Sequence, residues 1–296
     1  MSRHYWPRAL LLLSLGLFTG CQGVEGLSIQ GVDLGNLVSA GRNLGNLGAK
    51  DLDEEQQIGQ GATSVLLEKA PLLADQRIQR YVNLVGVWIA LHSERPELAW
   101  RFAVLDSPSV GAYAAPGGYI VITNGLLQRL NSEAELAGVL AHEIAHVVQK
   151  HHLTALQQQA QSGLLSDLAL LAAQASQVSR QGGMSSKDTA MGERFKQSVS
   201  DLYSRGLQRS DEYEADTMGV VLARRAGYDA YGLASVLQLM SSERADTPAL
   251  VSFLKVHPNL GDRLQALEKT YQYLDKQAPN SGATLAERYQ GYVLLP

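Results

Sequence analysis

Between Arg77 and Leu91 the apolar residues Ile78, Tyr81, Val82, Val85, Trp88 and Leu91 recur at intervals of three and four. That spacing gathers them on one side of a helix and predicts an amphipathic helix packed on a core. The pattern then changes to short alternating runs. Trp100, Phe102 and Val104 come first, then Val110 to Ala115, then Tyr119 to Thr123, with Pro116-Gly117-Gly118 between the last two. These read as strands joined by a turn, and a small antiparallel sheet is expected. Helical spacing returns at Leu136, Val139, Leu140, Ile144 and Val147. Ser132 with Glu135 fits a capping box at the start of that helix, which is apolar enough to require burial. Residues 154–175 read as helical, whereas 176–199, with Gly182-Gly183 and many Ser, Thr and Lys, show no period and are expected to form a mobile loop. Helices resume at about Asp201–Ala226, Tyr231–Ser242 and Gly261–Lys276, with breaks at Gly227 and at His257-Pro258. Residues 278–296 lack a strong period and are expected to be a C-terminal tail. The fold class is α+β, mainly α-helical, with the small sheet beside the buried helix.

With 45% apolar and 18% charged residues among 296, the chain is neither a disordered polymer nor a coiled coil. Its 25 basic side chains against 29 acidic ones give a formal charge of -4, without the basic excess that neutralising phosphates requires, so no nucleic-acid partner is expected. At the N-terminus, Arg3 and Arg8 precede an apolar stretch from Ala9 to Phe18, which is followed by small residues and then Cys21, the only cysteine. This is the anatomy of an export signal, and the stretch is about half the ~20 residues a membrane-crossing helix needs. Phe18-Thr19-Gly20-Cys21 resembles a bacterial lipobox. The resemblance implies that residues 1–20 are a lipoprotein signal peptide, that Cys21 carries the lipid holding the protein to the membrane, and that Gln22 directs it to the outer membrane, facing the periplasm. Removing residues 1–20 takes away Arg3 and Arg8 and no acid, which moves the formal charge from -4 to -6. Residues 21–50 are rich in glycine and repeat Leu-Gly-Asn-Leu at 34–37 and 44–47, a composition suited to a membrane tether and not to a core. The globular domain is expected over 51–277, opening with the acidic run Asp51 to Glu55 at the positive end of a helix.

The buried helix carries His142-Glu143-Ile144-Ala145-His146, an H-E-x-x-H pattern. Residues four apart emerge one turn above another on the same face, so the two imidazoles can share one zinc ion and Glu143 can take a proton from water there. Burying two imidazoles and a carboxylate without partners would cost several kcal/mol, a cost that a metal removes. A third ligand is best sought in Ser210-Asp211-Glu212-Tyr213-Glu214-Ala215-Asp216. Glu212 and Asp216 are also four apart; Glu212 can bind zinc while Asp216 holds the far nitrogen of a ligand histidine, and the alternative is a solvated acidic helix face. Two histidines and one glutamate also accept cobalt or manganese.

Four segments together resemble a known family: Ala-Ala-Pro-Gly-Gly-Tyr-Ile from Ala114, the run from His142 to His152, Glu-Tyr-Glu-Ala-Asp from Glu212, and Ala-Gly-Tyr-Asp from Ala226. The chain is similar, over roughly 51–277, to the zinc metallopeptidases of the CAAX prenyl protease type 1 class, in their periplasmic outer-membrane lipoprotein branch, the BepA/LoiP-like proteins. The resemblance implies a zincin-like fold with one Zn2+ per chain held by His142, His146 and Glu212, Glu143 as general base and Asp216 as the supporting carboxylate. It makes His257 a switch able to approach the metal, the alternative being an ordinary loop histidine. Arg263 has two readings, an oxyanion-stabilising group, a role His257 could share, or a structural ion pair. His151 and His152 lie off the metal face and read as surface groups or outer supports of the ligands. The function implied is a zinc-dependent endopeptidase acting on misfolded or stalled outer-membrane and periplasmic proteins, with the outer-membrane assembly machinery as a further partner. Substrate backbone is expected along an exposed sheet edge near Ala114 to Ile120. The rival is a lipid-anchored chaperone or assembly factor whose zinc site is structural or latched by the 176–199 loop and His257.

Overall fold

The computed structural model describes residues 28–29, 32–33, 49–159, 169, 172–173, 186–242 and 247–294. The signal peptide, Cys21 and nearly all of the tether lie outside the described residues, apart from a two-residue antiparallel pair, Ser28–Ile29 with Val32–Asp33. The apolar run Leu164 to Ala173 also lies mostly outside them. Among the described residues no helix is long and apolar enough to cross a membrane.

The chain opens with α1 (Ala49–Leu67) and α2 (Gln76–Ala90). Asp75 starts α2 by accepting hydrogen bonds from the backbone N–H groups of Arg77 and Ile78, at 2.8 and 3.2 Å, which satisfies donors that a helix end leaves unpaired. Ile78, Tyr81, Val82 and Val85 are buried as expected, but Trp88 and Leu91 are half exposed and Ile89 takes the core position instead.

Strands β1 (Arg101–Leu105), β2 (Ala112–Ala115) and β3 (Tyr119–Thr123) form one sheet in the order β1-β3-β2. The sheet is mixed, and this corrects the antiparallel expectation: β2 and β3 form an antiparallel hairpin, while β1 pairs with β3 in parallel, Arg101 opposite Tyr119 through Leu105 opposite Thr123. The turn at Gly117 and Gly118, both at positive φ, fixes the hairpin and leaves the far edge of β3 as the place where β1 docks. Apolar patterning reports which strands are buried and carries no information about their direction.

After the short α3 (Asn124–Leu127), α4 (Glu133–Val148) runs through the middle of the molecule, with every residue except Glu135 buried. Ser132 accepts from the Glu135 backbone N–H at 3.2 Å, and the Glu135 carboxylate reaches back to the Asn131 N–H at 2.6 Å, one residue before its usual place in a capping box. Around α4 stand α2, the sheet, and the helices α5 (His151–Gln159), α6 (Ser186–Arg205), α7 (Arg209–Arg225), α8 (Gly232–Ser242), α9 (Pro248–Val256), α10 (Leu260–Gln277) and α11 (Ala286–Val293).

Three further expectations change. The described part of 176–199 is helical: α6 begins at Ser186 and buries Phe195, Val199, Leu202 and Tyr203 along one side. The helix expected over Asp201–Ala226 is two, because Gly206, at φ 78°, turns the chain where its backbone lies against Val256. The expected tail holds α11, whose Tyr289 and Val293 enter the core. From α11, Arg288 makes a two-pronged ion pair with Glu133, a fully buried carboxylate that also accepts from Tyr81 at 2.6 Å and Tyr228 at 2.8 Å. Eight residues of helix are too few to show a period in the sequence, and the segment is held by the buried Tyr289 and Val293 together with the Arg288–Glu133 pair.

A fully buried ion pair closes the other end of α4. Glu55 on α1 and Arg95 meet through two bonds of 2.9 Å; Glu55 also accepts from the Gly117 backbone N–H at 3.1 Å and lies 3.5 Å from Lys150, while Arg95 donates to the Val147 carbonyl at 3.4 Å. Burial would raise the Glu55 pKa, but Arg95 and Lys150 outweigh it and hold the carboxyl below its ordinary value. Its contribution to stability is therefore present above the unfolded glutamate pKa of about 4.3 and disappears as pH falls through the lower folded value. Replacing Glu55 with Gln leaves Arg95 buried and unpaired, and is expected to cost about 3–5 kcal/mol at pH 7. Urea melts of both proteins should show that gap at pH 7 and its closure in acid; a gap independent of pH would contradict the assignment.

Candidate metal centre

On α4, His142 and His146 lie one turn apart with their rings nearly perpendicular and their Nε2 atoms facing each other at 3.1 Å, and both rings are buried. Two ring nitrogens held that close share either a proton or a cation. From α7, Glu212 brings its carboxylate within 3.7 Å of His142 Nε2 and 3.5 Å of His146 Nε2. The distal nitrogen of His142, Nδ1, lies 3.0 Å from Asp216, one turn along α7. His257, at the end of α9, completes the group: its Nδ1 is 2.9 Å from Glu212 and its Nε2 is 3.7 Å from Glu143.

The approach of α7 to α4 depends on Gly219. A Cβ at this position would lie 2.9 Å from the His142 backbone nitrogen and 3.0 Å from its Cα, so only a residue without a side chain lets the two helices meet here. Glu212 and Asp216 reach His142 because of that closeness.

Arg263 on α10 is buried with two edges of its guanidinium engaged: Nε and one terminal nitrogen donate to Asp216 at 2.7 and 2.6 Å, and the other lies 3.0 Å from Glu212. Of its two sequence readings, the ion pair is the one seen. Burial would push the Glu212 and Asp216 carboxyls up, but His257 and Arg263 outweigh it at Glu212, and Arg263 does so at Asp216, so both lie below the usual carboxylate range. Glu143 is different. Burial raises its pKa despite His257 and His142 nearby, and its Oε2 has no hydrogen-bond partner. His146 is held well below the ordinary imidazole value by burial and by the histidines around it, which keeps it neutral and able to offer a lone pair.

The donor set fits a zinc ion. One donor atom from each of His142, His146, Glu212 and His257 lies within 4.8 Å of the others, and Glu212 Oε1 lacks any hydrogen-bond donor. Two imidazoles on one tetrahedral zinc, at bonds of about 2.0–2.1 Å, stand about 3.3 Å apart, close to the separation here.

The sequence model of peptidase family M48 matches residues 74–271, a stretch that begins just ahead of α2 and ends within α10. The chain belongs to peptidase family M48. Among its relatives are the beta-barrel assembly-enhancing protease of Escherichia coli K12, 26% identical over 214 residues covering 72% of this chain and 43% of the relative, and that of Yersinia pestis, 27% identical over the same lengths. The mitochondrial metalloendopeptidase OMA1 of Arabidopsis thaliana is 30% identical over 189 residues, 64% of this chain and 35% of the relative. The chain thus spans less than half the length of these curated relatives. M48 is a family of zinc-dependent peptidases, which agrees with the donor set.

Around this M48 centre the sheet edge is not as expected. Ile120 lies on the central strand, and only β2 forms an edge on this side; its residues are all buried. Tyr203 from α6 donates to the Ala114 carbonyl at 2.6 Å, and His257 Nε2 sits 3.5 Å from the Ala112 carbonyl. Tyr203 and its neighbour Tyr113 also feel the Glu143 charge, which adds to burial in raising both phenols. Sequence reasoning missed Tyr203 because it falls at the end of a helix whose first half shows no visible period. It also placed His151 and His152 loosely, whereas both are buried against His146. Lys150, at φ 59°, ends α4 and turns the chain so that α5 folds back, a reversal that a projection along one helix does not show.

Replacing Gly219 with Ala is expected to force α7 away from α4, costing about 1–3 kcal/mol and weakening zinc binding with it. Gly261→Ala, where a Cβ would meet nothing, is the control. Thermal melts with and without zinc check this; an unchanged zinc affinity in Gly219→Ala would separate the helix contact from the metal site.

Proposed function

We propose that this chain is a zinc-dependent endopeptidase of the bacterial envelope that hydrolyses peptide bonds in misfolded or stalled outer-membrane proteins, held to the outer membrane through a lipid on Cys21. The observation that carries the peptidase reading is the convergence of His142, His146 and Glu212 with Glu143 beside them, unpartnered at one oxygen and with a raised pKa. His142, His146 and Glu212 would hold one zinc ion, which when bound supplies Lewis-acid polarisation of the scissile carbonyl and activation of water. Glu143 accepts the proton of the attacking water and returns it to the leaving amine; its buried, high-pKa carboxyl suits both halves of that exchange. Asp216 fixes the His142 ring, and Arg263 holds Asp216 and Glu212 in register from behind. The membrane reading is supported by the lipobox-like Phe18-Thr19-Gly20-Cys21, and the client class by the relatives named for β-barrel assembly.

A second reading is favoured by the position of His257 and Tyr203, which together cover the metal group and the β2 edge. In this reading the resting protein is latched, and it works chiefly as a lipid-anchored chaperone or assembly factor.

Metal content measured by mass spectrometry, with casein cleavage followed alongside, tests the proposal. Wild type should carry one zinc per chain and Glu212→Ala should lose it, while Glu143→Gln should keep zinc and lose at least about 100-fold in cleavage. Cleavage retained by Glu143→Gln would end the role given to that residue, and no zinc in wild type would end the metal reading. Replacing His257 with Ala should raise cleavage if the histidine is a latch; equal activity would return it to an ordinary loop residue. In cells, a deletion strain rescued as well by Glu143→Gln as by wild type would select the chaperone reading.

A further inference from the structure

His146 Nε2 points at His142 and Glu212, which leaves its other nitrogen, Nδ1, to be accounted for. That atom is fully buried and meets Nδ1 of His151 at 2.9 Å. On the far side of the His151 ring, Nε2 lies 3.6 Å from Glu214, whose carboxylate also accepts from the Gln149 side-chain amide. The chain of contacts thus runs from a candidate metal ligand to a partly buried carboxylate, and His151 itself lines a cavity of about 470 Å³ with Thr154, Gln158 and Asp211.

We propose that His151 and Glu214 are a positioning relay for the His146 ligand. The assignment follows from hydrogen-bond chemistry, each step fixing the next. When His146 offers the lone pair of Nε2 to a cation, its single proton sits on Nδ1. Nδ1 of His151 must then present a lone pair, because two N–H groups cannot face each other at 2.9 Å. His151 then carries its proton on Nε2, which faces Glu214 at 3.6 Å, a charge–dipole contact longer than a hydrogen bond. Asp216 supports His142 with a charged acceptor in contact, whereas His146 reaches its carboxylate through an intervening neutral ring. The two ligand histidines are thus held by different devices, and the second keeps an additional negative charge out of the buried centre. His152 provides the internal contrast: it is nearly as close to His146 by ring separation, 5.3 Å against 5.1 Å, yet it stacks on the Tyr203 ring.

This inference rests on His146 being a metal ligand, so the experiment reports on both separately. Zinc affinity of the full chain is measured by competition with a chelator for wild type, His151→Phe, His151→Asn and His152→Phe, with thermal melts of the metal-free proteins to confirm folding. His151→Phe keeps ring volume but removes the acceptor, and should bind zinc about 10–100-fold more weakly. Asn places its Oδ1 where Nδ1 of the imidazole stood, so His151→Asn should recover affinity close to wild type, and His152→Phe should stay close to it throughout. Equal affinity in wild type and His151→Phe, or equal losses in the Phe and Asn variants, overturns the relay. Nitrogen-15 NMR of zinc-loaded wild type gives a second measurement that needs no variant: His151 should carry its proton on Nε2, and a proton on Nδ1 overturns the proposal. Wild type that binds no zinc at all overturns the ligand reading on which the relay stands.

Discussion

The structure is organised by the cost of taking charge out of water. Three carboxylates, Glu143, Glu212 and Asp216, lie in the centre of the molecule with one permanent cation among them, Arg263, and all four groups are nearly inaccessible to solvent. Such a cluster is tolerable only if each charge has partners at contact distance and the remaining negative charge is answered by something else. His257 answers part of it from α9, and a divalent ion held by His142, His146 and Glu212 would answer it more completely. The placement of α7, α9 and α10 around α4 follows from this need, since each supplies one piece of the balance.

The same logic repeats at the ends of α4, where apolar packing alone would not choose among helix orientations. Glu133 gathers Tyr81, Tyr228 and Arg288 at one end, and Arg95 with Glu55 ties the other end to α1 and to the β2–β3 turn. These contacts join elements distant in sequence, and they give the buried helix a single azimuth, which is what aims both imidazoles at α7.

Much of this was legible in the residues, because periodicity and spacing are local. The helix with His142 and His146, its cap at Ser132, the strands, and the facing of Glu212 and Asp216 all follow from intervals of two, three or four. Strand direction was not legible: β1 and β3 have the same apolar character in either orientation, and the parallel pairing is decided by the hairpin that fills the other edge. Nor was α11, a helix of eight residues whose Tyr289 and Val293 reach the core and whose Arg288 meets a remote carboxylate. The ring of groups behind the site, Tyr203 and His151 above all, escaped for a related reason. One closes a helix that opens in polar, aperiodic sequence, and the other is turned inward by a single left-handed residue, Lys150, that composition does not flag.

The order of the polar groups along the chain has a consequence for biosynthesis. Glu143 comes before the midpoint, Glu212 well after it, and Arg263 within the last helices, while the helix that anchors Glu133 comes later still. A chain emerging from its N-terminus holds the histidine pair long before it holds the acids and the guanidinium that make the pair useful. Hydrolytic capacity would thus arrive only with the closing segments, because a nascent copy that has not yet received them holds the histidine pair without the groups that complete the centre.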